Sequence, residues 1–194
     1  MRVGVVIPTV RRPTLARTLE ALSLQPWHRL LVVYDDWRNI SNARNKGWAT
    51  LYETEVICFC DDDAVPDPDY VAEGMEAMKN LDVGTGLVYG GFQTSEECQF
   101  AGTALWVTVR ALQLLSGFST DFVDNCGWED VDLGWRAMDF GLHCGLMPHA
   151  GICHPTAPQH EIGKTPEALR KAKELIAKRH PRRWERWLRE GRSA

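Results

Sequence analysis

The sequence predicts an α/β fold, a mostly parallel central sheet flanked by helices. Three apolar runs, VGVVI (3–7), LLVVY (30–34) and VICF (56–59), recur with helix-length polar segments between them. Two of these runs pass directly into carboxylates, Asp35-Asp36 and Asp61-Asp62-Asp63. Strand, helix, strand, helix, strand makes a right-handed βαβαβ unit, and ligands of such sheets bind beyond the carboxyl ends of the strands. Thr9, Asp35, Asp36 and the triple acid are therefore expected on one rim.

The 194 residues fit one medium domain able to bury a core without staples. The opening MRVGVVIPTV has one basic residue and an apolar run broken by Pro8, which is neither a signal peptide nor a membrane span, so a cytoplasmic location is expected. None of the six cysteines forms a CxxC pair, and reduced thiols are expected. A zinc site from Cys144, Cys153 and nearby histidines is the alternative. The net charge of -4 hides an asymmetry: residues 164–194 carry eleven Lys or Arg against four Glu, leaving an acidic body and a basic tail. A solvated helix face is the common meaning of such a tail, and a phosphate-bearing partner or an anionic membrane surface the other.

After the first strand, Leu15, Leu19 and Leu22 fall at helical spacing. Residues 41–55 read as a helix capped by Ser41 despite Gly47. Asp67 before Pro68 reads as the N-cap of a helix reaching about Leu81. Gly84, Gly86, Gly90 and Gly91 are expected as bends around a strand near Leu87–Phe92. A strand over Ala104–Val107 leads into a helix ended near Gly117. In GWEDVDLGWRAMDFGL (127–142), Glu129, Asp130 and Asp132 open a helix where acids suit the dipole, and Gly141 stops it. Residues 142–154 suggest a last strand ending at His154. PTAPQHEIGKTP is expected as a mobile loop, followed by helices from Pro166 to His180 and over the RRWERWLREGR segment.

The triple acid carries the chemistry. On an extended backbone Asp61 and Asp63 project together and Asp62 the other way. Two carboxylates ~6 Å apart at a dielectric of ~20 repel by roughly 3 kcal/mol, which calls for a cation if both stay ionised. An all-oxygen set suits a hard divalent ion. There is no GxGxxG after the first strand and no GxxxxGK[ST], so neither a dinucleotide fingerprint nor a P-loop is present. A phosphate-bearing ligand would then be held by metal and side chains.

Taken in order, IPTV, VVYDD, SNARNKG, DDD, RALQLLSGF and GWEDVDLGWR resemble a metal-dependent glycosyltransferase of the Rossmann-like GT-A fold, most like the largely inverting family 2. The resemblance covers roughly residues 1–155. It implies a glycosyltransferase domain over 1–160, with 1–81 binding the nucleotide and 82–160 the acceptor, and 161–194 as loop and basic helical tail. It also implies a nucleoside-diphosphate sugar donor, taken as a UDP-sugar, lying near Pro8, Thr9, Asp35, Arg44 and Asn45. Asp61 and Asp62 would face ribose or metal, and Asp63, with Asp61 and His154, would ligate Mn²⁺ or Mg²⁺. Asp130 matches the general base of inverting members, and Trp128 and Glu129 line the acceptor site. The implied acceptor is a saccharide or glycolipid head-group, with a hydroxylated DNA base and peripheral membrane contact through the tail as alternatives. Against the family pattern, Trp37-Arg38 replaces a common Gly-Ser after the acid pair, and the segment from Asp36 to Asn45 is short. Two rival readings are a sugar-phosphate nucleotidyltransferase, whose Gly-rich loop IPTVRRPTLARTL lacks, and a non-catalytic nucleotide-sugar-binding module.

Overall fold

A computed structural model describes residues 1–35, 39–90, 100–123, 127–154 and 165–189. The expected Asp36, the Trp37-Arg38 departure, Gly91-Phe92 and most of the expected loop (155–164) lie outside the described residues. The strands are β1 (Val3–Thr9), β2 (Arg29–Tyr34), β3 (Val56–Phe59), β4 (Val65–Pro66), β5 (Val83–Tyr89), β6 (Leu105–Thr108) and β7 (Cys144–Cys153). The helices are α1 (Leu15–Leu22), α2 (Ile40–Thr50), α3 (Tyr70–Ala77), α4 (Val109–Leu115), α5 (Glu129–Asp139), α6 (Pro166–Arg179) and α7 (Pro181–Arg189).

The seven strands form one sheet in the order β2-β1-β3-β6-β5-β7-β4. β1 pairs in parallel with β2 and β3, and β5 with β7, whereas β6 is antiparallel to both neighbours and β4 to β7. Five strands thus share a direction, and their carboxyl ends line one rim. Since β6 runs the other way, its amino end joins that rim. The alternation of each strand divides the core: Val56 and Cys58 pack on the face with Tyr70, Trp106 and Ile152, while Ile57 and Phe59 pack on the opposite face with Leu112, Leu133 and Ile176. Each face is covered by helices, so both sides of β3 are apolar and the strand reads as a continuous hydrophobic run.

Several local expectations are corrected. Asn39, not Ser41, caps α2, its side chain accepting from the Asn42 N–H at 3.2 Å, and the helix ends at Thr50. Gly47 is where α2 lies directly on β1, since a Cβ there would strike Val6. Close approach outweighs the helix cost of glycine. Asp67 is no N-cap: its carbonyl accepts from Tyr70, its carboxylate from the Tyr89 hydroxyl, and α3 starts two residues later than Pro68. Gly84 and Gly86 lie inside β5 rather than at bends. A Cβ on Gly84 would meet Met147 and Met78 sulfurs, and one on Gly86 the Ala150 carbonyl, so packing rather than turning selects glycine here. The two-residue β4 gives no periodic signal and was not expected. Among the described cysteines, Cys58, Cys60 and Cys153 are free thiols. Among the described residues no helix is long and apolar enough to cross a membrane.

Candidate active site

β3 ends at Phe59, so the triple acid occupies a turn and not an extended strand. The turn still separates the acids as expected, for its own reasons. Asp62 points back at β1, where the Thr9 hydroxyl donates to its Oδ2 at 2.5 Å and Arg12 Nη1 to its Oδ1 at 3.0 Å. Burial, with Asp61 and Asp63 alongside, raises the Asp62 pKa against the opposing pull of Thr9 and Arg12. Asp61 and Asp63 turn toward His154 at the end of β7. One ligand atom from each of Asp61, Asp63 and His154 falls within 4.8 Å of the others. Two carboxylate oxygens and an imidazole nitrogen fit a divalent ion such as Mn²⁺, harder than zinc's thiolate preference and softer than an all-oxygen cage. Cys144 and Cys153 join no such group among the described residues. Arg12 Nη1, 2.5 Å from Asp63 Oδ2, supplies positive charge to the acid pair.

The second acid group lies on α5. Trp128, its N-cap, has a left-handed backbone with φ 77°, directly after Gly127 at φ 79°. A left-handed conformation in so bulky a residue is uncommon and costs about 1–3 kcal/mol. Packing holds it: Trp128 meets Trp184 and Trp187 of α7 edge to face, each with centroids 5.4 Å apart, and those two rings stack on each other at 5.1 Å. The kink aims Glu129 and Asp130 at the rim. Asp130 Oδ2 accepts from the Gly102 N–H at 2.7 Å, and Oδ1 from the Val131 N–H at 2.8 Å. Close surroundings and the neighbouring Glu129 push the Asp130 carboxyl up to about 7, although Arg44 and the two amides oppose the shift. A carboxyl poised there is suited to take a proton near neutral pH.

Arg44 spans the two groups. It is almost wholly buried on α2 and donates through Nη1 to Glu129 Oε1 at 2.7 Å and through Nη2 to Asp61 Oδ1 at 3.1 Å. Other expected residues occupy bracing positions. Asp35 accepts from the Asn39 N–H at 2.8 Å and fixes the start of α2. Asn45 holds Phe118, accepting from its N–H at 2.9 Å and donating to its carbonyl at 2.8 Å. Pro8 sits in β1 opposite Val33. Sequence reasoning did not single out Arg12 or Gly102; the arginine pair at 11–12 beside an acidic rim was the available signal, whereas a backbone amide leaves none.

No protein-family model matches the sequence, and no curated protein matches it. Solved structures do match its fold. TarS of S. aureus, residues 1–349 in complex with UDP-GlcNAc, superposes with TM-score 0.70 at 14% identity, over 91% of this chain and 66% of that one. The mannosyltransferase PcManGT of Pyrobaculum calidifontis, in complex with GDP-Man and Mn²⁺, gives 0.62 at 15% over 98% of this chain and 79% of that one. The catalytic domain of Drosophila β1,4-galactosyltransferase 7, complexed with xylobiose, gives 0.62 at 18% over 82% and 72%. The chain therefore has the GT-A α/β architecture expected of it, and spans about two thirds of the TarS structure.

Proposed function

We propose that this protein is a metal-dependent glycosyltransferase that moves one sugar from a nucleoside-diphosphate sugar, taken as a UDP-sugar, to an acceptor hydroxyl with inversion. The observation that carries the reading is a divided acidic rim. Asp61, Asp63 and His154 converge within 4.8 Å on one side, and Asp130, its carboxyl raised to about 7, stands on the other. The structural neighbours are solved with UDP-GlcNAc, with GDP-Man and Mn²⁺, and with xylobiose, which supports a nucleotide-sugar donor and a saccharide acceptor.

Asp61, Asp63 and His154 would hold the divalent ion, which when bound offsets the negative charge that gathers on a departing diphosphate. Asp130 acts as general base on the acceptor. The acceptor oxygen forms its bond to the anomeric carbon as the carbon–oxygen bond to the diphosphate breaks; the bonding pair leaves with the diphosphate, and the hydroxyl proton passes to Asp130. Attack from the face opposite the leaving group inverts the anomeric centre. The amides of Gly102 and Val131 fix the orientation of Asp130, and Asp62, tied to Thr9 and Arg12, holds the metal-side turn in shape.

Thermal unfolding against a panel of nucleoside-diphosphate sugars, with and without Mn²⁺, tests the reading and names the donor. One nucleotide sugar should raise Tm in the presence of Mn²⁺, and EDTA or Asp63→Ala should remove the gain. No stabilisation by any donor, or stabilisation indifferent to both EDTA and Asp63→Ala, would overturn the metal-dependent assignment.

A further inference from the structure

We infer that Arg44 is a positioning residue that holds the donor-side acid Asp61 and the acceptor-side acid Glu129 in one frame, so that occupation of either side is felt at the other. The inference rests on the glycosyltransferase reading for its catalytic meaning, and on geometry for its existence. Arg44 leaves α2 pointing inward with 1% of its surface exposed, and each terminal nitrogen serves a different acid. Those acids are 68 positions apart in the chain and lie on different halves of the rim. Phe118 flanks the guanidinium, its ring centroid 5.3 Å from Cζ.

Two further observations show that the arginine is seated for this purpose. Glu129 is buried, and its Oε2 has no hydrogen-bond partner among the described residues, so Arg44 is the hydrogen-bonding anchor of that carboxylate. Gly102 lies directly against the guanidinium: a Cβ there would come within 2.8 Å of Cζ and Nη1. The N–H of this same glycine holds Asp130 at 2.7 Å. Arg44 thus bonds Asp61 directly and Glu129, the neighbour of Asp130, and packs beside Gly102, the residue whose amide orients Asp130. A planar, permanently charged fork holds two acids at a fixed spacing through separate nitrogens, whereas an ammonium offers its three donors from one atom on a flexible stem and fixes no such spacing.

The consequence is a thermodynamic linkage that must be reciprocal. An ion drawn to Asp61 competes with Arg44 for that carboxylate, and Glu129 sets how easily Arg44 gives way. Neutralising Glu129, which is no metal ligand, should turn Arg44 more fully onto Asp61 and weaken Mn²⁺ binding by about fivefold, the lower end of typical site-to-site coupling.

Calorimetric Mn²⁺ titration of the wild type, Glu129→Gln, Arg44→Lys and the double variant is the test. The expected result is the weakening in Glu129→Gln and its disappearance when Arg44 is already lysine. An Mn²⁺ affinity unchanged by Glu129→Gln, or an effect that persists in full in the Arg44→Lys background, would overturn the linkage. Steady-state kinetics on Arg44→Lys add a second readout: a positioning role lowers kcat with donor KM nearly kept, whereas direct contact with the donor raises KM and spares kcat. If Arg44→Lys does not fold, or if the wild type binds no Mn²⁺ and the metal assignment itself fails, urea unfolding of Asp61→Asn, Glu129→Gln and their double decides the matter without metal or substrate. Non-additive destabilisation supports the shared arginine; additive values reject it.

Discussion

Asp130 joins two demands that conflict at the level of a single side chain. As the proposed base it must be ionised when an acceptor arrives, yet this carboxyl is closely enclosed beside Glu129, and both conditions favour the protonated form. The expected result is an activity that climbs as pH rises through about 7, visible as the acid limb of a kcat/KM profile. Asp130→Asn should lose about 10²- to 10⁴-fold in transfer, the usual contribution of a positioned base, while donor-induced thermal stabilisation persists. Stability should move oppositely. A carboxyl whose folded pKa lies above its unfolded one destabilises the fold increasingly as pH climbs from the ordinary carboxylate range through about 7. Asp130→Asn should therefore be more resistant to urea than the wild type at pH 8, and the gap should close by pH 4.

α5 carries a second acid whose meaning appears at the level of packed elements. Asp132 looks from the sequence like first-turn decoration on a helix N-terminus. In the fold it is fully buried, with Arg136 Nε at 2.8 Å, His180 Nε2 at 3.1 Å and Arg179 Nη1 at 3.3 Å. Burial works against its ionisation, but the His180 bond and the two arginines prevail and lower its pKa. Its contribution is present at neutral pH and is lost as pH falls through and below the usual carboxylate range. Asp132→Ala leaves the half-buried Arg136 and Arg179 without their shared carboxylate and should cost about 2 kcal/mol in urea unfolding at pH 7. Because Arg179 and His180 lie at the α6–α7 junction, this acid also joins the basic tail to the helix that bears Glu129 and Asp130. Trp187→Ala, which removes one ring from the cluster over Trp128, should cost about 1 kcal/mol and impair acceptor use before donor binding. What was legible here follows from physics. The continuous apolar runs of β1 and β3, the helical spacing of α6 and the acids that open α5 are local signals and survive reading along the chain. The diversion of Asp67 to Tyr89, the strand role of Gly84 and Gly86, and the Arg179 and His180 partners of Asp132 depend on residues distant in sequence.

At the scale of the whole molecule, the sheet explains how a site so scattered in sequence becomes compact in space. Carboxyl ends of β1, β2, β3 and β7 bring Thr9, Asp35, the triple acid and His154 to one rim, and reversed β6 brings Gly102. The rule that parallel α/β sheets bind beyond strand ends placed most of these residues in advance. It did not place the bridge, since nothing in the SNARNKG segment distinguishes an arginine that contacts ligand from one that spans two acids.

β6 has a consequence in time as well as in space. It is the central strand of the sheet, yet its residues are made after those of β1, β2, β3 and β5. Until Leu105–Thr108 arrive, no strand among the described residues pairs the β2-β1-β3 half with β5, and Val56–Phe59 presents an unpaired apolar edge. Such an edge is a template for pairing with another chain. A nascent polypeptide halted before Leu105 should thus aggregate or be held by chaperones far more than one halted after α4. Ribosome-arrested chains of the two lengths, compared by sedimentation, would show the difference.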